Sequence, residues 1–408
     1  MPTKHRSGFY EIAKQAALQP KEALAEVKRK KHHLTIAIPR EIIYQENRVG
    51  LTPHGAQMLV ARGHEVIMEA GAGLESKFSD EDYNEVGVKI SYDRKEIYQA
   101  DIVMKVAFPS EKELEMMPGH QTLISALTLP LLGEKQLQIL MKKQMTAISF
   151  EYIRDEAGLY PVLQAMSEIA GIASITIAAE YLSNVYHGKG VMLGGVSGVP
   201  PSEVVILGAG TVGQFATRTA LGLGAQVKVF DDSIYRMRRM QNDLGTRVYT
   251  SIIHPHTLVK ALRTADVAIG AIRAREGRTP CIVSEEMVME MRAGSVVVDV
   301  AIDQGGCFET SEVTNHTKPI YLKHDVIHYC VPNIPSRVSR TASYALSNIF
   351  APILVSVGEA GGIKNYLWDK ESVRHGVYVY KGNLTNRYIG EKFNISSKEI
   401  DLLIAANI

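Results

Sequence analysis

Short apolar runs alternate with stretches of helical spacing from residue 34 onward, and this alternation is the main structural signal of the chain. Residues 34–38 (LTIAI) and 65–69 (EVIME) have the composition of buried strands, and residues 53–61 between them have a helical pattern. Further strand-like runs lie at residues 101–106, 121–125 and 146–150. Strands separated by helices predict a parallel sheet with crossover connections, so this part should form an α/β lobe.

The second half repeats the pattern and adds two long helical stretches, at residues 161–186 and 341–359. Its strand-like runs lie at residues 204–207, 225–230, 266–269 and 295–299. Helices of that length often bridge two lobes. The predicted fold class is therefore α/β, with two Rossmann-like lobes of parallel sheet, two long linking helices and an active-site cleft between the lobes.

A glycine-rich turn follows the strand-like run at residues 204–207. Gly208, Gly210 and Gly213 have the G-x-G-x-x-G spacing. Gly208 allows a tight turn, Gly210 lets backbone amides approach a pyrophosphate, and Gly213 lets helix and strand pack closely. The start of the following helix offers free N–H groups and the positive end of its dipole to phosphates.

An acidic residue completes this pattern, because Asp231 ends the next strand about 20 residues further on, where its carboxylate would accept hydrogen bonds from an adenosine ribose. The turn and the acid together predict a dinucleotide-binding site, to which Ala209, Thr211 and Val212 would also contribute. The alternative is a glycine turn in an α/β fold that binds no nucleotide.

These elements divide the chain into four segments. Residues 1–33 are predicted to form an N-terminal helical extension, residues 34–161 the first part of a substrate-binding lobe, residues 162–339 the nucleotide-binding lobe, and residues 340–408 a C-terminal return to the substrate lobe.

Composition and charge exclude several other classes of function. The 408 residues carry a formal net charge of +1, which gives no electrostatic case for nucleic acid or an anionic membrane as partner. Three widely spaced cysteines fit reduced thiols in a cytoplasmic protein, and no metal site is predicted. No apolar run approaches the 18 or so residues of a membrane span, and the N-terminus lacks the apolar core of a signal peptide.

Polar residues beyond the predicted strands are the candidates for chemistry. Asp303 follows an apolar run, so its carboxylate either acts as a base or binds an ammonium, or else it forms the turn at Gly305 and Gly306. The segment 270–273 and Asn333 also follow predicted strands. Ligands of parallel α/β sheets bind outside the carboxyl ends of strands.

Two cations of the first lobe are candidates as well. Lys105 lies inside an apolar run, where an unpaired lysine is not tolerated, so it either ends the strand facing a cleft or pairs with an anion. Arg48 precedes a helix start at Thr52 and Pro53. Its guanidinium matches a carboxylate bidentately, although an ordinary surface salt bridge is the alternative.

Over about residues 34–390 the sequence resembles the alanine dehydrogenase family. The segments of the first lobe that carry the resemblance are 38–42 (IPREI), 46–53 (ENRVGLTP), 63–66 (GHEV) and 70–73 (AGAG). Those further along are 166–171 (MSEIAG), 193–199 (LGGVSGV), 298–309 (VDVAIDQGGCFE) and 329–333 (YCVPN). The NAD-binding component of proton-translocating transhydrogenase shares the fold, but the MSE and IDQGG patterns are typical of the dehydrogenase.

The resemblance implies an NAD-dependent oxidoreductase of L-alanine catabolism, which oxidises L-alanine to pyruvate and ammonia and runs in reverse, and which is typically a homohexamer. Arg48 would hold the substrate carboxylate, Lys105 would hydrogen-bond the carboxylate or the carbonyl oxygen, and Asp303 would assist proton transfers. The residues implied to contact NAD are Ser167, the glycine loop 208–213, Asp231, Arg236, Ile272, Asp303 and Asn333.

One position departs from the family pattern, because Thr128 stands where the family has its catalytic histidine. A threonine hydroxyl hydrogen-bonds but does not act as a general acid or base near neutral pH. Two alternatives follow: a dehydrogenase or reductase of another small amino acid, 2-oxo acid or imine, or a non-catalytic NAD(H)-binding relative. Arg48, Lys105 and Asp303 argue against the latter, since a sensor has no need of a substrate-carboxylate clamp.

Overall fold

The computed structural model describes residues 33–127, 132–273 and 278–406. The predicted N-terminal extension, except for His33, lies outside these residues, and so does Thr128. Two sheets organise the described chain.

The first sheet has eight strands in the order β15-β14-β6-β5-β4-β1-β2-β3. β1 to β6 run parallel, and β14 and β15 extend the sheet antiparallel beside β6. The strands are β1 (Thr35–Ile38), β2 (Glu65–Glu69), β3 (Lys89–Ser91), β4 (Ile102–Met104), β5 (Thr122–Ser125), β6 (Thr146–Ser149), β14 (Val377–Tyr380) and β15 (Asn383–Leu384).

The second sheet has seven strands in the order β12-β13-β11-β10-β7-β8-β9, with only β12 antiparallel to its neighbour. Its strands are β7 (Glu203–Leu207), β8 (Gln226–Phe230), β9 (Tyr249–Ser251), β10 (Val267–Gly270), β11 (Val296–Asp299), β12 (Ile320–Lys323) and β13 (Val326–Tyr329). The predicted fold class is confirmed, and the antiparallel strands are the addition that the pattern did not predict.

Both sheets have the strand order of a doubly wound fold, which reverses direction between β1 and β4 and between β7 and β10. The helices of the first part are α1 (Pro53–Val60), α2 (Asp80–Asn84), α3 (Arg94–Ile97), α4 (Glu111–Met116), α5 (Glu134–Lys142) and α6 (Pro161–Tyr181). Those of the second part are α7 (Thr211–Gly222), α8 (Ile234–Leu244), α9 (Pro255–Leu262), α10 (Glu285–Met289), α11 (Ser339–Glu359), α12 (Ile363–Asp369), α13 (Glu371–Arg374), α14 (Arg387–Phe393) and α15 (Ile400–Ala405).

The two long helices connect the lobes, as their length predicts. Buried side chains of α6, such as Ile175, pack into the core of the second sheet, whereas Phe350 of α11 packs into the core of the first. α6 approaches α7 at Gly171, where a Cβ atom would lie 2.4 Å from the Val212 carbonyl oxygen. The predicted helix 161–186 ends earlier, at Tyr181, and a separate 3₁₀ turn covers Asn184–Tyr186.

Both connecting helices are long and apolar enough to cross a membrane, which corrects the expectation that no segment approaches such a length. Length and composition are weak grounds for a span, because core helices of water-soluble proteins pass the same criterion. Here many apolar residues of both helices, such as Ile175 and Phe350, are buried in the cores of the two sheets, whereas Ile172 of α6 is exposed.

Candidate active site

The glycine loop begins where β7 ends and α7 starts, and two of its glycines are required by close contacts. Gly208 has a positive φ of 109°, and a Cβ there would lie 2.5 Å from the Ala271 carbonyl oxygen. A Cβ on Gly213 would lie only 1.8 Å from the Gly208 carbonyl oxygen. Both contacts are with backbone that does not yield easily, so these positions require glycine.

The middle glycine differs from the other two, because the space beside it is open. No heavy atom of the described residues lies within 4 Å of a Cβ built on Gly210. Gly210 is the N-cap of α7, and Thr211, Val212 and Gly213 form its first turn. The backbone N–H groups of these three residues have no acceptor within the helix. This open helix start fits the pyrophosphate of a dinucleotide.

Asp231 is buried at the end of β8 and is already bonded on several sides. Its carboxylate accepts hydrogen bonds from the Ala209 amide at 2.7 Å and from the Ser233 amide at 2.7 Å. The Arg236 guanidinium donates to both carboxylate oxygens, with Nη2 at 2.6 Å from Oδ1. Asp231 therefore ties the glycine loop to α8, and a ribose bound here would compete with Arg236 for it.

Two further residues were predicted to contact the cofactor: Ile272 lies near this loop, and Ser167 lies on helix α6 between the lobes. The Ile272 amide nitrogen would lie 3.2 Å from a Cβ built on Gly208, so the segment after β10 borders the glycine loop. Ser167 is half-buried on α6, one residue after Met166, whose sulfur lies 3.4 Å from Arg48 Nη1.

A network of hydrogen bonds joins Arg48 of the first lobe to Asp303 of the second. The Glu46 carboxylate accepts hydrogen bonds from Arg48 Nε at 2.7 Å and from Arg48 Nη2 at 2.6 Å. The same Glu46 carboxylate accepts the Asn333 side-chain amide at 2.9 Å, and the Asn333 backbone amide donates to Asp303 Oδ1 at 3.1 Å. The structure thus links Arg48, Asn333 and Asp303 through Glu46 in one hydrogen-bonded network.

Asn333 makes both contacts because its backbone is left-handed, with φ 56° and ψ 46°. Asparagine tolerates this conformation better than most residues, because its short polar side chain bonds locally. The turn directs the side chain to Glu46 and the backbone amide to Asp303.

Asp303 lies in the 3₁₀ turn Val300–Gln304 directly after β11. Its side chain is exposed to solvent on one side, while the protein packed around its other sides desolvates it and raises its pKa. Gly305 and Gly306 follow with positive φ, as expected for a turn, and the Asp303 carboxylate accepts the Asn333 amide from outside that turn. The role of Asp303 as a base stays a prediction.

Lys105 directly follows β4, and its side chain is completely buried. The ammonium nitrogen lies 2.8 Å from Glu113 Oε1, 3.4 Å from Glu41 Oε2 and 3.5 Å from the Arg40 carbonyl oxygen. The sequence offered a strand end that faces a cleft, or a pairing with an anion. Lys105 does follow the end of β4, but its side chain is buried and pairs with Glu113, so the pairing is the alternative that is present. Although burial alone would raise the pKa of Glu113, the charge and hydrogen bond of Lys105 hold it below its ordinary value.

Four carboxylates that sequence reasoning did not single out surround these cations: Glu41, Glu46, Glu113 and Glu151. Glu151 is the second residue after the end of β6, in the 3₁₀ turn Phe150–Tyr152, and its Oε2 accepts the Leu127 amide at 3.1 Å. Burial raises the pKa of Glu151, while the positive charges of Arg48 and Arg273 oppose that rise. A search for acids just after strand ends would have found Glu151.

A cavity of about 310 Å³ opens beside this cluster. Arg40, Glu41, Glu46 and Arg48 line it from the first lobe, and Thr317 lines it from the second. The cavity is large enough for a three-carbon acid.

His328 lies five residues before Asn333 and is a further candidate for the proton carrier. It is fully buried in β13, and its ring nitrogens lie 2.8 Å from the Thr310 hydroxyl and 3.0 Å from the Val326 carbonyl oxygen. It is a packed structural histidine.

Comparison with known proteins shows the family of the chain. Residues 37–170 match the family described as "Alanine dehydrogenase/PNT, N-terminal domain", and residues 174–387 match "Alanine dehydrogenase/PNT, C-terminal domain". Alanine dehydrogenase 2 of Staphylococcus aureus (strain USA300) is 37% identical over 369 residues, which cover 90% of this chain and 99% of that protein.

Solved structures give the same picture. An L-alanine dehydrogenase is 37% identical and has a TM-score of 0.83, over 88% of this chain and 99% of that one. A transhydrogenase from Sinorhizobium meliloti, 23% identical with a TM-score of 0.73 over 87% of this chain and 99% of that one, shares the fold.

Proposed function

The chain belongs to the alanine dehydrogenase/PNT family, and we propose that it catalyses the NAD-dependent oxidative deamination of L-alanine to pyruvate and ammonia, together with the reverse reductive amination. The observation that carries the proposal is the Arg48–Glu46–Asn333–Asp303 network. It links, through hydrogen bonds across the two lobes, the guanidinium that would bind the substrate carboxylate to the carboxylate that would act as the base.

Arg48 holds the substrate carboxylate in this proposal. Glu46 occupies the Nε–Nη2 edge of the guanidinium and fixes its orientation. The Nη1–Nη2 edge is then the one that receives a second carboxylate bidentately. Lys105 binds the other substrate oxygen after it exchanges one of its two longer contacts, with Glu41 or with the Arg40 carbonyl oxygen.

Asp303 is the proton carrier. In deamination it takes a proton from the water that attacks the imine carbon, and it returns this proton to the nitrogen of the resulting carbinolamine. It then takes the hydroxyl proton as the C–N bond breaks, so that ammonia leaves and the keto acid forms. Its raised pKa suits this exchange, because a carboxyl group then holds a proton closer to neutral pH. Thr128 only positions the substrate or water in this scheme, since its hydroxyl does not titrate.

The open helix start at Gly210 and the carboxylate of Asp231 are the groups that would hold a nicotinamide dinucleotide, and Ser167, Ile272 and Asn333 would border its nicotinamide end. When bound, the nicotinamide ring supplies the hydride acceptor for the substrate α-carbon. The chain's own part is to place that carbon, with Arg48 and Lys105, opposite the ring.

The assay that tests this function follows NADH absorbance with L-alanine and NAD⁺, then with pyruvate, ammonium and NADH. We expect turnover in both directions. A panel of other amino and 2-oxo acids is run in parallel. The reason is that Thr128 replaces the family's histidine, and this change in the pocket is expected to affect which small acid is the preferred substrate. NADH binding without turnover of any acid would contradict the proposal and favour a non-catalytic NAD(H)-binding protein.

We predict that NAD is preferred over NADP, because the negative charge of Asp231 repels a 2′-phosphate. Arg236 neutralises part of that charge, so the preference should depend on the pair. Steady-state kinetics with both cofactors measure the ratio of the kcat/KM value for NAD to that for NADP. Asp231→Ala should lower this ratio, mainly because NAD binds more weakly to the variant. Equal kcat/KM values for the two cofactors in the unaltered enzyme would contradict the prediction.

We also propose a homohexameric enzyme of the cytoplasm, in which residues 34–161 and 340–408 form the substrate lobe and residues 162–339 the NAD-binding lobe. The family resemblance supports the oligomer and the compartment. The strand membership of the two sheets supports the boundaries.

A further inference from the structure

Two cations of the first lobe lie beside the cavity, and an ionised carboxylate already neutralises each of them. Arg48 lines the cavity, whereas Lys105 is buried behind the lining residue Glu41, 3.4 Å from its Oε2. Arg48 pairs with Glu46 at 2.6 Å, and Lys105 pairs with Glu113 at 2.8 Å. Although burial alone would raise the pKa of Glu46, Arg48 holds it below its ordinary value. A substrate anion that enters this cavity therefore meets no unpaired positive charge from these two residues.

Glu41 adds another acid to the same place, and its side chain is only 8% exposed. Its neighbours are Lys105, Glu46 and Arg48, which act on it through their charges, and the amides of the segment after β4. Burial raises the pKa of Glu41 to about 7, with the charge of Lys105 opposing the rise.

The two oxygens of Glu41 are held differently. Oε1 accepts a short hydrogen bond from the Val106 amide, at 2.6 Å. Oε2 lies 3.4 Å from the Ala107 amide and 3.4 Å from Lys105 Nζ, which are both long contacts. Oε2 is therefore the oxygen that can carry a proton without the loss of a good hydrogen bond.

We propose that Glu41 takes up a proton from solvent when the keto acid binds, so that the substrate carboxylate replaces the Glu41 carboxylate as the second anion near Lys105. This inference rests on the proposed function, because it concerns the same 2-oxo acid. Glu41 is a positioning residue in this scheme: it acts through Lys105, whose ammonium it releases on protonation.

The proposal fixes the direction of the pH dependence. Below about pH 7 Glu41 is already protonated in the free enzyme, so pyruvate affinity should be nearly flat. Above that pH the carboxylate must gain a proton for each pyruvate bound, and the dissociation constant should rise toward tenfold per pH unit.

Isothermal titration calorimetry of pyruvate binding to the enzyme–NADH complex tests this without turnover, because no ammonium is present. Measured at pH 8 in two buffers of different ionisation enthalpy, the unaltered enzyme should take up close to one proton per pyruvate. Glu41→Gln keeps the acceptor for the Val106 amide but does not titrate, so proton uptake and the slope above pH 7 should both be lost.

Two further variants keep the result interpretable. Glu75→Gln removes another glutamate of the same cavity, one that is exposed, and should leave proton uptake unchanged. Glu41→Asp keeps a titratable group, so it should retain proton uptake with a shifted midpoint, which separates titration from folding defects.

Equal proton uptake by the unaltered enzyme and Glu41→Gln would overturn the inference while leaving the proposed function intact. If pyruvate and every other 2-oxo acid fail to bind the unaltered enzyme–NADH complex, the proposed function itself fails.

Discussion

Asp303→Asn is expected to lower kcat for alanine deamination by about two to four orders of magnitude, the usual contribution of a general acid or base. Asparagine keeps the size of the side chain and an oxygen that accepts the Asn333 amide, so the turn after β11 should persist. NADH binding, followed by fluorescence, should change little, because only the basic carboxylate is removed.

The pH profile gives a second readout for the same variant. Because the pKa of Asp303 is raised, it keeps its proton to a higher pH than an ordinary aspartate, so deamination should increase as pH rises through that pKa. The Asn variant should lose this acidic limb. Thr128→Val is the control variant, and the decrease in kcat that it causes should be much smaller. Near-normal turnover of Asp303→Asn would move the proton carrier elsewhere, and Glu151 is then the next acid to test.

Local patterns in the sequence predict the parts of this protein that depend on neighbouring residues. The strand, glycine loop and helix around Gly208 and Gly213 follow from periodicity and spacing, and the contacts of both glycines give the physical reason for that spacing. The position of Asp303 after a predicted strand likewise indicates it as a candidate for chemistry. The antiparallel β14 was not predicted, because its pairing with β6 joins segments far apart in the chain.

The pairings inside the site could not be predicted for the same reason. Glu113 has a local signature, since Ser110 and Glu113 form a capping box at the start of α4. That pattern explains the contact of Glu113 Oε2 with the Ser110 amide, but nothing in it indicates that Oε1 reaches the buried Lys105. Long-range contacts of this kind depend on how the elements pack.

Arg48 shows how such a pairing changes the interpretation of one residue. A surface salt bridge was the alternative for it, yet its side chain is only 13% exposed and its partner Glu46 also reaches Asn333 of the other lobe. In the proposed mechanism Arg48 therefore serves two carboxylates at once, Glu46 permanently and the substrate during turnover. Only a guanidinium has enough donors in one plane to do both.

Arg48→Lys keeps the positive charge but loses this planar fork. A bidentate, charge-assisted contact contributes about 1.5–3 kcal/mol, so the KM for pyruvate should rise roughly 10- to 100-fold. The Kd for NADH should stay within about twofold, because the glycine loop and Asp231 lie on the second sheet and make no contact with Arg48 among the residues described. Arg40→Lys is the matched control, since it changes another arginine of the same cavity whose backbone carbonyl alone contacts Lys105. If Arg48→Lys weakens NADH binding as much as it weakens pyruvate, then Arg48 holds the two lobes together and does not clamp the substrate carboxylate.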